Sequence, residues 1–161
     1  MSLSRERFSE RLFEHLRAAG LAEEVELAVR RALVNSKQRD ECFVEALVEG
    51  GLASVAEIFD AVESLLDIPA LELSEIGADV TILGVIPADR AETLQVIPLF
   101  VVGGSVVLAM SDPYDLAKID QLGFLTGKTI LPVFCLASDI ARHLPIYYGV
   151  REGSRPGGAA V

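Results

Sequence analysis

The chain has 161 residues, of which 51% are hydrophobic and 24% charged, with a formal net charge of −10. Such a composition can bury a core and is not that of a disordered chain. Its negative charge repels phosphate backbones and anionic headgroups, which argues against nucleic acid and bare membrane as partners. The charge is uneven: residues 1–75 hold 16 acidic and 8 basic side chains, net −8, whereas 76–161 hold 8 and 6, net −2.

The N-terminus, Met1-Ser2-Leu3-Ser4-Arg5-Glu6-Arg7, is polar and has no signal-peptide core. No apolar run reaches the ~18 residues that span a bilayer. The expected location is the cytoplasm. The two cysteines, Cys42 and Cys135, each sit inside an apolar run and read as buried free thiols.

Residues 4–75 read as helical. Phe8, Leu12 and Leu16, with Phe13 beside them, recur at helical spacing, and Gly20 ends that run. A second helix carries Val25, Leu27, Val29, Ala32 and Leu33 and stops at a polar break over 35–40. A third carries Cys42, Phe43, Ala46 and Leu47 and closes at Gly50-Gly51. Ser54 caps a fourth, because Glu57 stands three residues on at capping-box spacing. Its stripe is Ile58, Val62 and Leu65, and it stops before Pro69. Leu16 to Ala22 parallels Leu47 to Ala53: a helix end, a glycine, then a small apolar pair. Two helix-turn-helix units in tandem explain that repeat.

Residues 76–95 form a connection, with one or two helical turns over Ala88 to Leu94. Two β-branched runs, 96–102 and 105–110, flank Gly103-Gly104 and predict a hairpin. Asp112 or Asp115 caps a helix over 115–125, with Leu116, Ile119, Leu122 and Leu125 facing inward, and Gly127 ends it. Thr129 to Leu136 is a strand. Ser138 caps a last helix that closes near Tyr147-Tyr148-Gly149. The expected fold is α+β: a helical subdomain over 1–75, a connecting segment over 76–95, a β-β-α-β-α subdomain over 96–150, and a tail or linker over 151–161.

The residues offer no catalytic constellation. Thr126-Gly127-Lys128-Thr129 ends like a P-loop but has Leu122 where the first glycine belongs, and it follows a helix and precedes a strand. His15 and His143 have no evident third partner and read as surface or partly buried side chains. With two His and two Cys remote from one another, a metal site is not expected. The acids Glu23, Glu24, Glu26 and Glu57, Asp60, Glu63 read as solvated helix faces. No catalytic residue, metal or cofactor is assigned, and the chain is expected not to be an enzyme.

From Val107 to Gly149 the chain resembles the N-terminal domain of the hexameric ATPases of type II secretion and type IV pilus assembly. The motifs are Ala109-Met110-Ser111-Asp112-Pro113, a helix ending in Thr126-Gly127, a Val-bearing strand, and Tyr147-Tyr148-Gly149. Pro98-Leu99, the Leu-Val-x-x-Gly-Leu pattern at 47–52 and the break Asp67-Ile68-Pro69 extend the resemblance over roughly 10–149. The resemblance implies a docking or adaptor domain without the ATPase core. The implied partner is the cytoplasmic domain of an inner-membrane platform protein, or another component of such a machine, reached at the inner face of the inner membrane. Both an excised N-terminal piece and a free-standing adaptor fit.

The resemblance also implies an alternative, a cyclic-di-GMP sensor, since some members bind that dinucleotide. Their repeats start with Arg-Leu-Gly and end in Gln. Here the first repeat has Arg11-Leu12 followed by Phe13 and ends at Val34, and the second has Cys42-Phe43-Val44 and ends at Leu65. The candidate contacts carried over are Arg11, Leu12, Leu16, Gly20, Leu21, Leu47, Gly51 and Leu52. A dianionic ligand on a half with net charge −8 also needs cationic compensation.

Overall fold

The computed structural model describes residues 3–39, 42–76 and 79–153. It divides into two compact units: 1–70 with 112–116, and 71–111 with 117–161.

The first unit is built from α1 (Leu3–Ala18), α2 (Glu23–Arg39), α3 (Phe43–Glu49) and α4 (Val55–Leu66). Phe8, Leu12, Phe13 and Leu16 are buried along α1, so the four-residue spacing did mark the core stripe. The structure corrects the polar break: α2 continues through Arg39. Ser36 is fully buried, and its hydroxyl donates to the Leu33 carbonyl at 2.9 Å. Lys37 reaches Glu10 at 2.5 Å and Glu6 at 3.2 Å on α1. Tertiary pairing keeps this polar stretch helical where propensity alone would not. Leu27, by contrast, is 50% exposed.

The repeated helix ends are alike in geometry. Gly20 and Gly51 both take positive φ, +95° and +67°. After α3 the Leu52 N–H donates to the Leu47 carbonyl at 2.9 Å and Gly51 N–H to Val48 at 3.1 Å, the paired bonds of a Schellman motif. Ser54 forms the expected capping box: Glu57 N–H donates to its hydroxyl, and its own N–H donates to the Glu57 carboxylate at 2.7 Å. Asp67, in the left-handed region, closes α4 ahead of Pro69.

The second unit opens with α5 (Leu73–Ile76), a 3₁₀ segment (Val80–Val85) and α6 (Ala88–Leu94), then β1 (Ile97–Val102), β2 (Ser105–Met110), α7 (Leu116–Thr126), β3 (Thr129–Phe134) and α8 (Ala137–Gly153). The sheet runs β1-β2-β3, with β1 antiparallel and β3 parallel to β2. This is the β-β-α-β-α order within an α+β fold. Gly103 at φ +60° starts the two-residue hairpin loop. Pro98 and Pro132 lie on the two edge strands, where a missing N–H is tolerated, and the register slips between Pro98 and Phe100. Leu108, Ala109, Met110, Leu122, Ile140 and Leu144 are among its buried residues.

Several sequence expectations need correction here. Leu116 and Leu125 are 66% and 44% exposed; only Leu122 is buried on α7, with Ile119 partly so. Asp112 stands in the turn ahead of α7. It accepts from Tyr114 N–H at 3.3 Å, which shapes the preceding turn. The last helix begins at Ala137 rather than behind Ser138, and it runs on past Pro145 and the Tyr-Tyr-Gly to Gly153. Buried Leu144 and Tyr148 on either side of the proline hold it in register. The tail expected over 151–161 lies outside the described residues from 154 onward.

Candidate functional site

The first unit carries an open groove of about 350 Å³. His15 and Leu16 from the end of α1, with Ala19 just beyond it, form one wall. Gly20 and Leu21 follow them, Val29 comes from α2, and Leu52 and Ala53 come from the turn after α3. Glu57, Asp60, Ala61 and Ser64 of α4 form the other wall. Those four stand at i, i+3, i+4 and i+7, so one helical stripe supplies the whole side. A second depression, lined by Glu10, Arg11, Glu14, His15 and Leu65, shares His15 with it.

The eight sequence-derived candidates divide. Leu16, Gly20, Leu21 and Leu52 line the groove. Arg11 lies in the neighbouring depression, between Glu10 and Glu14. Leu12 and Leu47 have no exposed surface and belong to the helical core. Gly51 is the left-handed residue that turns the chain so that Leu52 reaches the groove. The α4 wall was not anticipated: Glu57, Asp60 and Glu63 were read as a solvated face. All three are exposed, but Glu57 closes the capping box and Glu63 accepts from Ala70 N–H at 3.0 Å. The 3-4-7 spacing of Glu57, Asp60, Ala61 and Ser64 was the available signal.

The electrostatics of the groove are anionic. Bonds from the Ser54 backbone and hydroxyl hold the Glu57 carboxyl below its ordinary range. Asp60 adds a second carboxylate, and among the described lining residues only His15 can carry a positive charge. At the α4 N-terminus, where backbone amides favour an anion, the capping box already sets the Glu57 carboxylate on the Ser54 N–H.

The second unit holds the other polar cluster. Asp139, in the first turn of α8, is 5% exposed. Its Oδ2 accepts the Leu73 N–H at 2.8 Å, and Oδ1 accepts from Arg142 at 2.7 Å. His143 is buried, not on the surface; its Nδ1 lies 2.9 Å from the Asp139 carbonyl and 3.1 Å from Oδ1. Cys135 stands four residues before Asp139, but burial, assisted by the Asp139 charge, pushes its thiol up to about 12. A thiol held neutral is a weak nucleophile; what the printed bonds of the cluster do is tie α5 to α8, through Asp139 and the Leu73 N–H. Cys42 is half-buried, and burial raises its thiol as well. Among the described residues no group of three His, Cys, Asp or Glu side chains is placed to hold a metal ion, and no helix is long and apolar enough to cross a membrane. Gly127, at φ +66° between α7 and β3, is a helix stop, as the failed P-loop spacing required.

The MshEN domain family matches residues 66–154, more than half of the chain. The chain belongs to the MshEN family. Two relatives carry the likeness beyond that stretch. The type IV pilus assembly ATPase PilB of Myxococcus xanthus is 29% identical over 139 residues, 80% of this chain and 25% of its own length. PilB of Thermus thermophilus is 30% identical over 141 residues, 84% of this chain and 16% of its own. The chain thus spans a quarter or less of the curated relatives it matches, in their N-terminal regions. Among solved structures, MshE with cdg superposes with a TM-score of 0.68 at 22% identity, covering 85% of this chain and 98% of that one. The N-terminal domain of XpsE superposes at 0.61 and 20% identity, covering 89% and 96%. Together these matches make the chain an N-terminal domain of the type II secretion and type IV pilus ATPase family, with the MshEN fold.

Proposed function

We propose that this MshEN domain is a non-catalytic docking module of a type II secretion or type IV pilus-like machine. Its partner is the cytoplasmic domain of an inner-membrane platform protein, met in the cytoplasm at the inner face of that membrane. The observation that carries the reading is the groove of the helical unit, which pairs an apolar floor with an anionic rim. Such a surface offers burial for affinity and charge for steering. The test is capture of purified platform cytoplasmic domain by the immobilised chain. Failure to retain any component of such a machine would remove this reading.

A second reading, a cyclic-di-GMP sensor, has one observation in its favour. Leu16, Gly20, Leu21 and Leu52, four of the residues at the family's contact positions, meet on a single groove, and MshE, whose fold this chain shares, has been solved with cdg. Against it stand the Glu57 and Asp60 carboxylates and the placement of Arg11 outside the groove. Calorimetry with the dinucleotide decides: no heat at high micromolar ligand ends it.

A further inference from the structure

We infer that the groove of the helical unit receives a basic amphipathic helix of the docking partner, its apolar ridge on the groove floor and its Lys or Arg side chains against Glu57 and Asp60. The inference rests on the docking reading and specifies its surface and the partner's chemistry.

Three features lead to it. The floor is apolar, made by Leu16, Leu21, Val29 and Leu52. The α4 wall extends from Glu57 to Ser64, eight residues, or about 10 Å of helix axis. That length matches two turns of a helix lying alongside, whose apolar side chains recur every three to four residues. The charge on that wall then selects the occupant. An acidic or phosphorylated ligand would face two carboxylates, and at the start of α4 the Ser54 and Glu57 amides are already bonded within the capping box. A cationic one would find both carboxylates at the exposed rim, where they steer its association. The wider surface agrees, since residues 1–75 carry net charge −8.

The test uses the full chain and two synthetic helical peptides of about 18 residues, one Leu/Lys and one Leu/Glu, at the same apolar spacing. Calorimetry is expected to show binding of the Leu/Lys peptide alone, with amide shifts concentrated at 15–21 and 52–64. Asp60→Lys should weaken it about tenfold or more, the usual scale for reversing a close charge. Glu92→Lys, an equal change in net charge on exposed α6 of the other unit, should change it less than about twofold if the attraction is local. Circular dichroism confirms that the exposed Asp60 variant is folded, and Asp60→Asn serves as the milder substitution.

Equal effects of Asp60→Lys and Glu92→Lys would reduce the binding to bulk charge and overturn the inference. So would binding of the Leu/Glu peptide, or saturation of the groove by cyclic-di-GMP with the same amide shifts. Two outcomes separate this inference from the docking reading. If platform domain is retained equally by wild type and Asp60→Lys, docking stands and the groove assignment falls. If the Leu/Lys peptide binds through Asp60 but no machine component is retained, the assignment of the partner's machine falls and the groove's preference stands.

Discussion

Leu47 and Leu52 are five residues apart on the same helix end, and replacing each by alanine separates the helical core from the groove. Leu47 has no exposed surface. Its truncation removes three buried carbons, about 2.4 kcal/mol at ~0.8 kcal/mol each. The residual cavity adds to that, for a total of about 3 kcal/mol. With a urea m-value of about 1–2 kcal/mol/M, the midpoint should fall by about 1.5 M or more. Leu52 lies at the groove, half-buried, and its truncation should cost under ~1 kcal/mol of stability. In exchange it should weaken the Leu/Lys peptide about tenfold, as loss of a central apolar contact does. Urea titration followed by far-UV circular dichroism measures the first pair, and calorimetry the second. Equal destabilisation by the two substitutions, or a Leu52→Ala chain that binds as wild type, would refute the division of the candidate leucines into core and groove.

Other perturbations address the second unit and the turns. Tyr148 is 1% exposed and its hydroxyl donates to the Leu83 and Ile86 carbonyls at 3.1 and 3.0 Å; Tyr148→Phe should lose about 1–2 kcal/mol in chemical denaturation. Asp139→Ala deprives the buried Leu73 N–H of its acceptor and should cost about 2–3 kcal/mol by the same measurement, more than Tyr148→Phe. Gly51→Ala forces an L-residue to φ +67° and should cost about 1–2 kcal/mol, read as a drop in the melting temperature. The Cys135 thiol, raised in the folded chain from about 9 to about 12, makes stability full below pH 9 and progressively lost as pH rises toward 12, by about 1.4 kcal/mol per pH unit. Urea titrations at rising pH, with Cys135→Ala as the reference that lacks this slope, check it.

The fold was legible wherever a local chemical signal set the backbone. Ser54 and Glu57 announced a capping box, Gly103-Gly104 a hairpin, and Gly20, Gly51 and Gly127 helix ends; all five features stand in the structure. The errors fell where distant contacts overrode local preference. Asn35 to Arg39 is polar enough to end a helix, yet Lys37 finds Glu6 and Glu10 twenty-seven or more residues away. Leu116 and Leu125 have the spacing of an inward stripe, but Leu122 and the partly buried Ile119 are the α7 side chains that meet the sheet's buried cluster. Periodicity gives a helix's apolar face; it does not say how wide a strip of that face the neighbouring layer covers.

The candidate site shows the same limit more sharply. A leucine that packs a helix pair and a leucine that floors a groove have the same identity and sit in the same repeat unit, so residue type alone could not tell Leu47 and Leu52 apart. What separates them is the turn between them. Gly51 reverses the chain at positive φ, and the Schellman bond from Leu52 N–H to Leu47 carbonyl fixes one residue beneath the helix end and the other beyond it. The same turn delivers Ser54 to the start of α4, and the capping box then sets Glu57 at the groove rim with its charge retained. One eleven-residue passage, Leu47 to Glu57, therefore fixes a core contact, a groove floor and an anionic wall together. It follows that the acid at Glu57 is a structural necessity of α4, whereas Asp60, one turn on and outside the box, is not. Asp60 is thus the side chain through which ligand preference is free to vary without loss of fold.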